Sequence, residues 1–340
     1  MREVAAPLAK LAQQFAELSA GFGRRVEPDL AALADRSADL ALEPPGLRSP
    51  NGKCRLIEAA DGWLAVNLAR PEDVDLLPAW LGSATFEDPW VELTARARFR
   101  SWRDLVEGAR LLGLPAAGVG EVAAQTMDAD LAPAGAAGAP KGADVQVVDL
   151  STLWAGPLCG GLLAAAGARV TKVEDARRRD PGRTSTPDFY RRLNGAKAEL
   201  ELDFRDPAAR ARLRDRILQA GVVVTSARRR AFEQLDLAPE TLFAGRPDLI
   251  WVAVSGYGWG ETTADRVGFG DDAAAAGGLV RWTTEGAPNF LGDALADPLT
   301  GMAAAVATLR ALAQGGGVIV DAALARTAAG AAADLGLRGA

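Results

Sequence analysis

Apolar residues in the first 50 positions recur at helical spacing. Leu8, Leu11, Phe15 and Leu18 form one stripe and Leu30 and Leu33 a second, before the turn-rich run EPPGLRSPNGK breaks the pattern. The next apolar block, Trp63 to Leu68 (WLAVNL), has the length of a strand. It is followed by PEDVDLLPAWLG and by SWRDLVEGARLLGLPAAGV, which predicts a helix stopped at its Gly-Leu-Pro signal. These segments predict a small α+β domain over 1–126 with a helical portion at 1–50. From Met127 to Asp144 (MDADLAPAGAAGAPKGAD), Ala, Gly and Pro replace the periodic apolar residues, which predicts a linker over 127–144.

Beyond 145 the pattern changes. VQVVDLS, ARVTKVE, AELELDF, GVVVTS, LIWVAVSGYG and GGVIVDAAL are short Val/Ile-rich strands separated by helical stretches, including a Gly-containing helix to Ala166 and one from Pro207 to Gln219. Strands buried on both faces and joined by helices read as βαβ units of a parallel sheet, so 145–340 is expected to be a doubly wound, Rossmann-like α/β domain. Ligands of such sheets lie outside the carboxyl ends of the strands. That rule directs attention to 151–161, 174–179, 225–230 and 255–260.

Composition narrows the chemistry. At 340 residues, 49% apolar and 24% charged, the chain is long enough for two folded domains. The apolar runs Leu158 to Ala168 and Met302 to Ala313 are shorter than the roughly 20 residues of a bilayer helix, and MREVAAPLAK has no signal-peptide core. A cytoplasmic protein without a membrane partner is therefore expected. The net charge of −6 argues against a nucleic-acid ligand, whose phosphates demand Lys and Arg. Histidine is absent, and two isolated cysteines, Cys54 and Cys159, cannot build a thiolate zinc site, so no metal is expected. Acid, base or nucleophile must come from carboxylates, Lys, Tyr, Ser, Thr, Cys or backbone groups.

Three segments could carry chemistry. At the first strand exit, LSTLWAGPLCGG places Ala155, Gly156, Gly160 and Gly161 where backbone could approach a phosphate, or where a helix packs tightly on the sheet; its spacing fits neither a dinucleotide fingerprint nor a P-loop. Arg177 to Arg179 and Arg228 to Arg230 follow two strands, as solvated loops or as contacts for a multiply phosphorylated ligand. In LGDALADPLTGM, Asp297 before Pro298 reads as a helix N-cap. The same geometry suits a carboxylate nucleophile beside free helix N–H groups. Asp293 reads as a loop residue, and Asp271 and Asp272 as helix-capping residues or supporting groups.

Four stretches resemble the class III (formyl-CoA/carnitine) CoA-transferase family: VVDLSTLWAGPLCGGLLAAAGARVTKVE (147–174), LNGAKAELELDFRDPAARARL (193–213), RPDLIWVAVSGYGWG (246–260) and GDALADPLTGMAAAVATLRAL (292–312). They occur in the family's order and spacing. DGWLAVNLARPEDVDLLPAWLG and WRDLVEGARLLGLPAAGVGEV resemble the family's smaller domain, which here precedes the core instead of following it.

The resemblance implies an acyl-CoA:carboxylate CoA-transferase with Asp297 as its catalytic aspartate, in the motif formed by Ala296, Asp297 and Gly301. It implies an aspartyl mixed anhydride and an aspartyl-CoA thioester as intermediates. Coenzyme A and acyl-CoA enter as substrates, with no tightly bound cofactor, and a carboxylic acid as acceptor. CoA contacts map onto Trp154 and Ala155, onto Asp175 and Arg177, onto Leu202, Asp203 and Arg205, onto Ser226 and Arg228, and onto Val267, Phe269 and Gly270. Relatives often have Arg where Asp175 stands, which shifts a phosphate role to Arg177 or Arg178. They show an aromatic and an acidic residue where this chain has Phe269 and Gly270. A homodimer is the implied assembly, with the interlocked arrangement of the family as one form of it. The alternatives are a non-catalytic CoA-binding subunit and a 2-methylacyl-CoA racemase; the histidine of the racemases corresponds to Phe269, which cannot exchange a proton. Gly315 to Gly317 reads as a turn before the last strand. Tryptophans 63, 80, 90 and 102 read as core or interface aromatics, and Tyr257 or Trp259 as a possible lining residue of the site.

Overall fold

The computed structural model describes residues 2–82, 87–124 and 126–337. Helix α1 (Ala5–Phe22) and the short α2 (Leu30–Ala34) come first. Strands β1 (Cys54–Ala59) and β2 (Gly62–Asn67) then form an antiparallel hairpin. Four helices follow: α3 (Pro71–Asp75), α4 (Leu77–Leu81), α5 (Pro89–Ala97) and α6 (Trp102–Leu112). The side chain of Ser101 accepts the Arg103 N–H to start α6, and Gly113, at φ 72°, ends it in a conformation glycine adopts without strain. Strand β3 (Ala116–Gly118) returns beside β2.

This three-stranded sheet is covered on both faces. Leu64, Val66, Leu77, Trp80, Leu93 and Leu105 form a core between it and its own helices. Its other face presents Leu56, Ala65 and Val119 to Ala275, Val280 and Phe290 of the larger unit.

That unit is built on a seven-stranded sheet. Strand β4 (Asp130–Pro133) is followed by β5 (Gln146–Asp149), helix α7 (Ala155–Ala165) and β6 (Arg169–Asp175). Helices α8 (Gly182–Ser185) and α9 (Pro187–Asn194) lead to β7 (Ala198–Leu202), α10 (Pro207–Gln219) and β8 (Val222–Thr225). Then come α11 (Arg229–Gln234), α12 (Pro239–Gly245) and β9 (Ile250–Ser255). Helix α13 (Gly270–Ala276), the hairpin β10 (Val280–Trp282) and β11 (Pro288–Phe290), helix α14 (Ala296–Ala313), β12 (Val318–Ala323) and α15 (Leu324–Asp334) complete the chain.

The strand order is β4-β12-β9-β8-β5-β6-β7, parallel except for β4. Val147, Val224, Val252 and Val320 face a core with α7, α14 and α15, while Val148, Val223 and Trp251 face Leu213, Ile217 and Leu242 of α10 and α12. Both faces of the sheet are therefore helix-covered, which makes the domain doubly wound.

The stripe of Leu8, Leu11 and Phe15 on α1 packs into the large core against α14. The Ala/Gly/Pro-rich stretch supplies β4, and residues 134–138 run along the Gly315–Gly317 turn, where Gly138 N–H donates to the Gly315 carbonyl at 2.9 Å. A Cβ on Gly315, at φ 90°, would stand 2.1 Å from the Gly138 carbonyl oxygen, so this close approach requires glycine.

Candidate active site

Because β5, β6, β7, β8 and β9 are parallel, Asp149, Asp175, Leu202, Thr225 and Ser255 bring their carboxyl ends to one edge of the sheet. The turn from β5 into α7 is braced by buried charges. Lys197 Nζ donates to Asp149 at 2.6 Å, to the Pro157 carbonyl at 2.8 Å and to Asn194 at 2.7 Å. Lys172 Nζ donates to Asp180 at 3.2 Å and to the Ser151 carbonyl. Burial works against ionisation of Asp149, yet Lys197 and Lys172 hold its carboxyl below the ordinary value. Gly156 is required here, since a Cβ on it would lie 2.2 Å from that of Ser151.

Helix α14 begins at Ala296, with Leu295 as its cap, so Asp297 is the second helical residue and not the N-cap its sequence suggests. The turn starts earlier because the Asp297 N–H donates back to the Ala294 carbonyl at 2.9 Å. The Asp297 side chain is consequently free of capping duty. It is half-buried, forms no ion pair and bonds to no other side chain among the described residues, while the backbone N–H of Ala155 lies against it. Burial pushes its pKa up to about 7; Arg36 and the Ala155 N–H pull against that shift, while Asp271 and Asp293 add to it. Gly270, the first residue of α13, backs it directly: a Cβ there would stand 2.1 Å from Asp297 Oδ2.

Around this carboxylate lies a polar network. Asp293 is held by Arg36 through two bonds, Nε at 2.8 Å and Nη2 at 2.7 Å. Asn51 Nδ2 donates both to Asp271 at 2.7 Å and to Asp293 at 2.8 Å. The other Asp271 oxygen accepts the Ala294 N–H at 2.7 Å. Burial, with Asp293 nearby, raises Asp271 to about 6. Asp271 thus braces the loop before α14 and does not cap its own helix. Asp272 does cap: it accepts the Phe269 N–H at 3.0 Å and an N–H of Asn67 at 3.1 Å, and burial raises it to about 7.

The residues singled out along the sheet edge are arranged as follows. Trp154 is buried, with Phe189 edge-on at 4.9 Å, Arg36 over its ring at 4.6 Å and its indole N–H donated to the Leu33 carbonyl, and the backbone N–H of the next residue, Ala155, is directed at Asp297. Asp175 accepts the Arg177 N–H at 3.2 Å, and Arg177 pairs with Asp203 at 2.9 Å. Asp203 also accepts the Arg205 N–H at 3.0 Å. Leu202 is a core residue whose carbonyl accepts the Ala176 N–H. Ser226 Oγ accepts the Thr152 N–H at 2.9 Å, tying the β8 and β5 exits together. Arg178 and Arg228 make no ion pair among the described residues. Burial, together with Arg230, Arg70 and Arg178, lowers the Arg228 pKa against the pull of Asp265.

Val267 and Phe269 lead into Gly270, which backs Asp297, and Arg70 stands 5.8 Å from the Phe269 ring centroid. Tyr257 and Trp259 are both buried, Tyr257 beneath the Arg266 guanidinium at 3.6 Å and Trp259 against Trp251. A separate cleft of about 730 Å³ is lined by Trp63, Trp102, Trp282 and Arg266 and does not include Asp297. Periodicity singles out neither Arg36 nor Asn51, because each lies in a polar, turn-rich stretch and its carboxylate partners are more than 200 positions away.

The sequence profile of CoA-transferase family III matches residues 143–335, the whole parallel-sheet unit and α14. The chain belongs to that family. Among curated relatives it is 34% identical over 191 residues to the succinyl-CoA–D-citramalate CoA-transferase of Chloroflexus aurantiacus, covering 52% of this chain and 48% of that one. It is likewise 34% identical over 185 residues to the succinyl-CoA:mesaconate CoA-transferase of Haloarcula hispanica, covering 50% and 47%. Among solved structures, a CaiB/BaiF family protein from Brucella suis superposes with a TM-score of 0.51 at 28% identity, over 57% of this chain and 56% of that one. This family III chain spans about half the length of the curated relatives it matches. No helix among the described residues is long and apolar enough to cross a membrane.

Proposed function

We propose that this chain is an acyl-CoA:carboxylate CoA-transferase whose nucleophile is Asp297. The observation that supports it best is the state of that carboxylate: on the first turn of α14, half-buried, without a side-chain partner, and backed by a glycine. A carboxylate so placed is not tied up in an ion pair, and the pull of Arg36 on it is outweighed by its burial.

In this reading an Asp297 oxygen attacks the thioester carbonyl carbon of the donor. The C–S bond breaks, CoA leaves as thiolate, and a mixed anhydride remains. The thiolate then attacks Asp297 Cγ, which releases the donor acid as its carboxylate and forms an aspartyl-CoA thioester. The acceptor carboxylate attacks the same carbon, expelling the thiolate and giving a second anhydride. Attack of the thiolate on the acceptor carbonyl releases the new acyl-CoA and restores Asp297. No proton is consumed, which suits a chain without histidine. Keeping the thiolate bound between steps supplies proximity.

CoA lies along the sheet edge in this proposal. The backbone of Trp154 and Ala155 faces the thioester. Asp175, Arg177, Leu202, Asp203 and Arg205 border the nucleotide, Ser226 and Arg228 the phosphates, and Val267, Phe269 and Gly270 the acyl side. Since Arg177 is paired with Asp203, Arg228 and Arg178 are the guanidiniums best placed for phosphate. The acids exchanged are carboxylates, as the names of the relatives suggest, and the assembly is a homodimer.

Intact-protein mass spectrometry after incubation with a panel of acyl-CoAs, with hydroxylamine as trap, tests the proposal. An adduct present in the wild type and absent in Asp297→Ala is the expected result. Reversible CoA binding with no adduct across the panel would instead favour a non-catalytic CoA-binding subunit.

A further inference from the structure

Two residues from the segment ahead of the small sheet reach the Asp297 site, and their contacts converge on it from two sides. On one side Arg36 grips Asp293 with both arms of its guanidinium, and the two side chains are largely buried, at 18% and 9% exposure. Asn51 bridges Asp293 and Asp271, and its own Oδ1 is fixed by the Lys53 N–H at 2.9 Å. Asp271 in turn holds the N–H of Ala294, a non-glycine residue at φ 46°. The Ala294 carbonyl accepts the Asp297 N–H. On the other side the Arg36 guanidinium lies over the Trp154 ring, and the residue after Trp154 presents its N–H to Asp297.

The positive φ at Ala294 is costly for a residue with a Cβ and persists only where its surroundings fix it. Here the fixing groups are Asp271 and, through it, Asn51. Two carboxylates this close repel, and the shared amide of Asn51 with the fork of Arg36 holds them together. The cation nearest the site is thereby committed to Asp293.

We propose that Arg36 and Asn51 are positioning residues for Asp297: by clamping Asp293 and Asp271 they fix the 293–297 turn and leave the Asp297 carboxylate unpaired toward its substrate. The proposal rests on Asp297 being the reactive group, but the test below separates the two.

Full-length Arg36→Gln, Arg36→Lys and Asn51→Ala are compared with wild type for the single-turnover rate of the hydroxylamine-trapped adduct at saturating acyl-CoA, for CoA Kd, and for thermal midpoint. Arg36→Gln and Asn51→Ala are expected to slow adduct formation at least tenfold with CoA Kd within twofold of wild type. Arg36→Lys, which keeps the charge and loses the fork, should fall between. Rates within twofold of wild type in both variants would overturn the proposal, as would losses that track CoA affinity or unfolding. If the wild type forms no adduct, the transferase reading fails by itself. Carbodiimide-driven coupling of a small amine to Asp297, mapped by peptide mass spectrometry, then decides the positioning role: a change of at least threefold in both variants supports it, and unchanged labelling overturns it.

Discussion

The Cα of Gly270 lies against the carboxylate of Asp297 so closely that a methyl group on it would sit 2.1 Å from Oδ2. Gly270 opens α13 with a backbone any residue can adopt, so the demand for glycine comes from the neighbour and not from φ. Gly270→Ala should therefore retain the fold while displacing the carboxylate, with Ala294 also in the way. A shift of about 1 Å in a reacting group costs on the order of a hundredfold in rate. Trapped-adduct kinetics alongside circular dichroism check this; a variant that forms adduct at the wild-type rate would refute it.

The reaction also has a pH signature. Burial raises Asp297 to about 7, with Arg36 opposing and Asp271 and Asp293 reinforcing the shift. Only the ionised form attacks a thioester, so the single-turnover rate should rise as pH increases through about 7 and level off above it. Measured from pH 5.5 to 9, a flat profile would mean that Asp297 is ionised throughout or is not the nucleophile.

The parallel sheet and the placement of α14 were legible in the sequence, because buried Val-rich strands and the Asp-Pro helix start are local signals. Asp297 could be picked out for the same reason. Its exact helical position could not, since the Ala294 carbonyl that starts α14 two residues early belongs to a strained turn held by Asp271. Arg36 and Asn51 were also hidden. Each sits in a turn-rich stretch with no periodicity, and their partners, at 271 and 293, are close only after the small sheet has docked. The same holds for β4: Ala, Gly and Pro advertise irregular chain, and only the pairing with β12 makes those residues a strand.

Phosphate binding provides a third expectation. Arg228 has no carboxylate partner among the described residues, and burial with Arg230 beside it lowers its pKa, so an incoming phosphate would relieve its repulsion by neighbouring guanidiniums. A hydrogen bond to a charged group contributes about 1.5–3 kcal/mol. Arg228→Ala should accordingly weaken CoA binding by about tenfold or more without changing the adduct rate at saturation. Titration calorimetry with CoA checks the affinity; an unchanged Kd would remove Arg228 from the site.

A fourth concerns stability. Lys197 and Asp149 are fully buried and paired at 2.6 Å at the turn that carries Trp154 and Ala155. Removing one member of such a pair leaves an uncompensated buried charge and costs about 3–5 kcal/mol. Lys197→Met should lower the denaturation midpoint accordingly, whereas Arg179→Ala, which breaks an exposed pair with Glu201, should change it little. Chemical denaturation of the two variants distinguishes them.

The packing of α1 on α14 sets the timetable on which the molecule is made. The stripe of Leu8, Leu11 and Phe15 leaves the ribosome well before the surface that covers it, which is encoded about 290 residues later. Chains grow at about 5–20 residues per second, so that greasy face stays uncovered for roughly 15–60 s while the rest is translated. The contact between α1 and α14 forms only when α14 emerges, and until then α1 carries an exposed apolar face of the kind that chaperones bind.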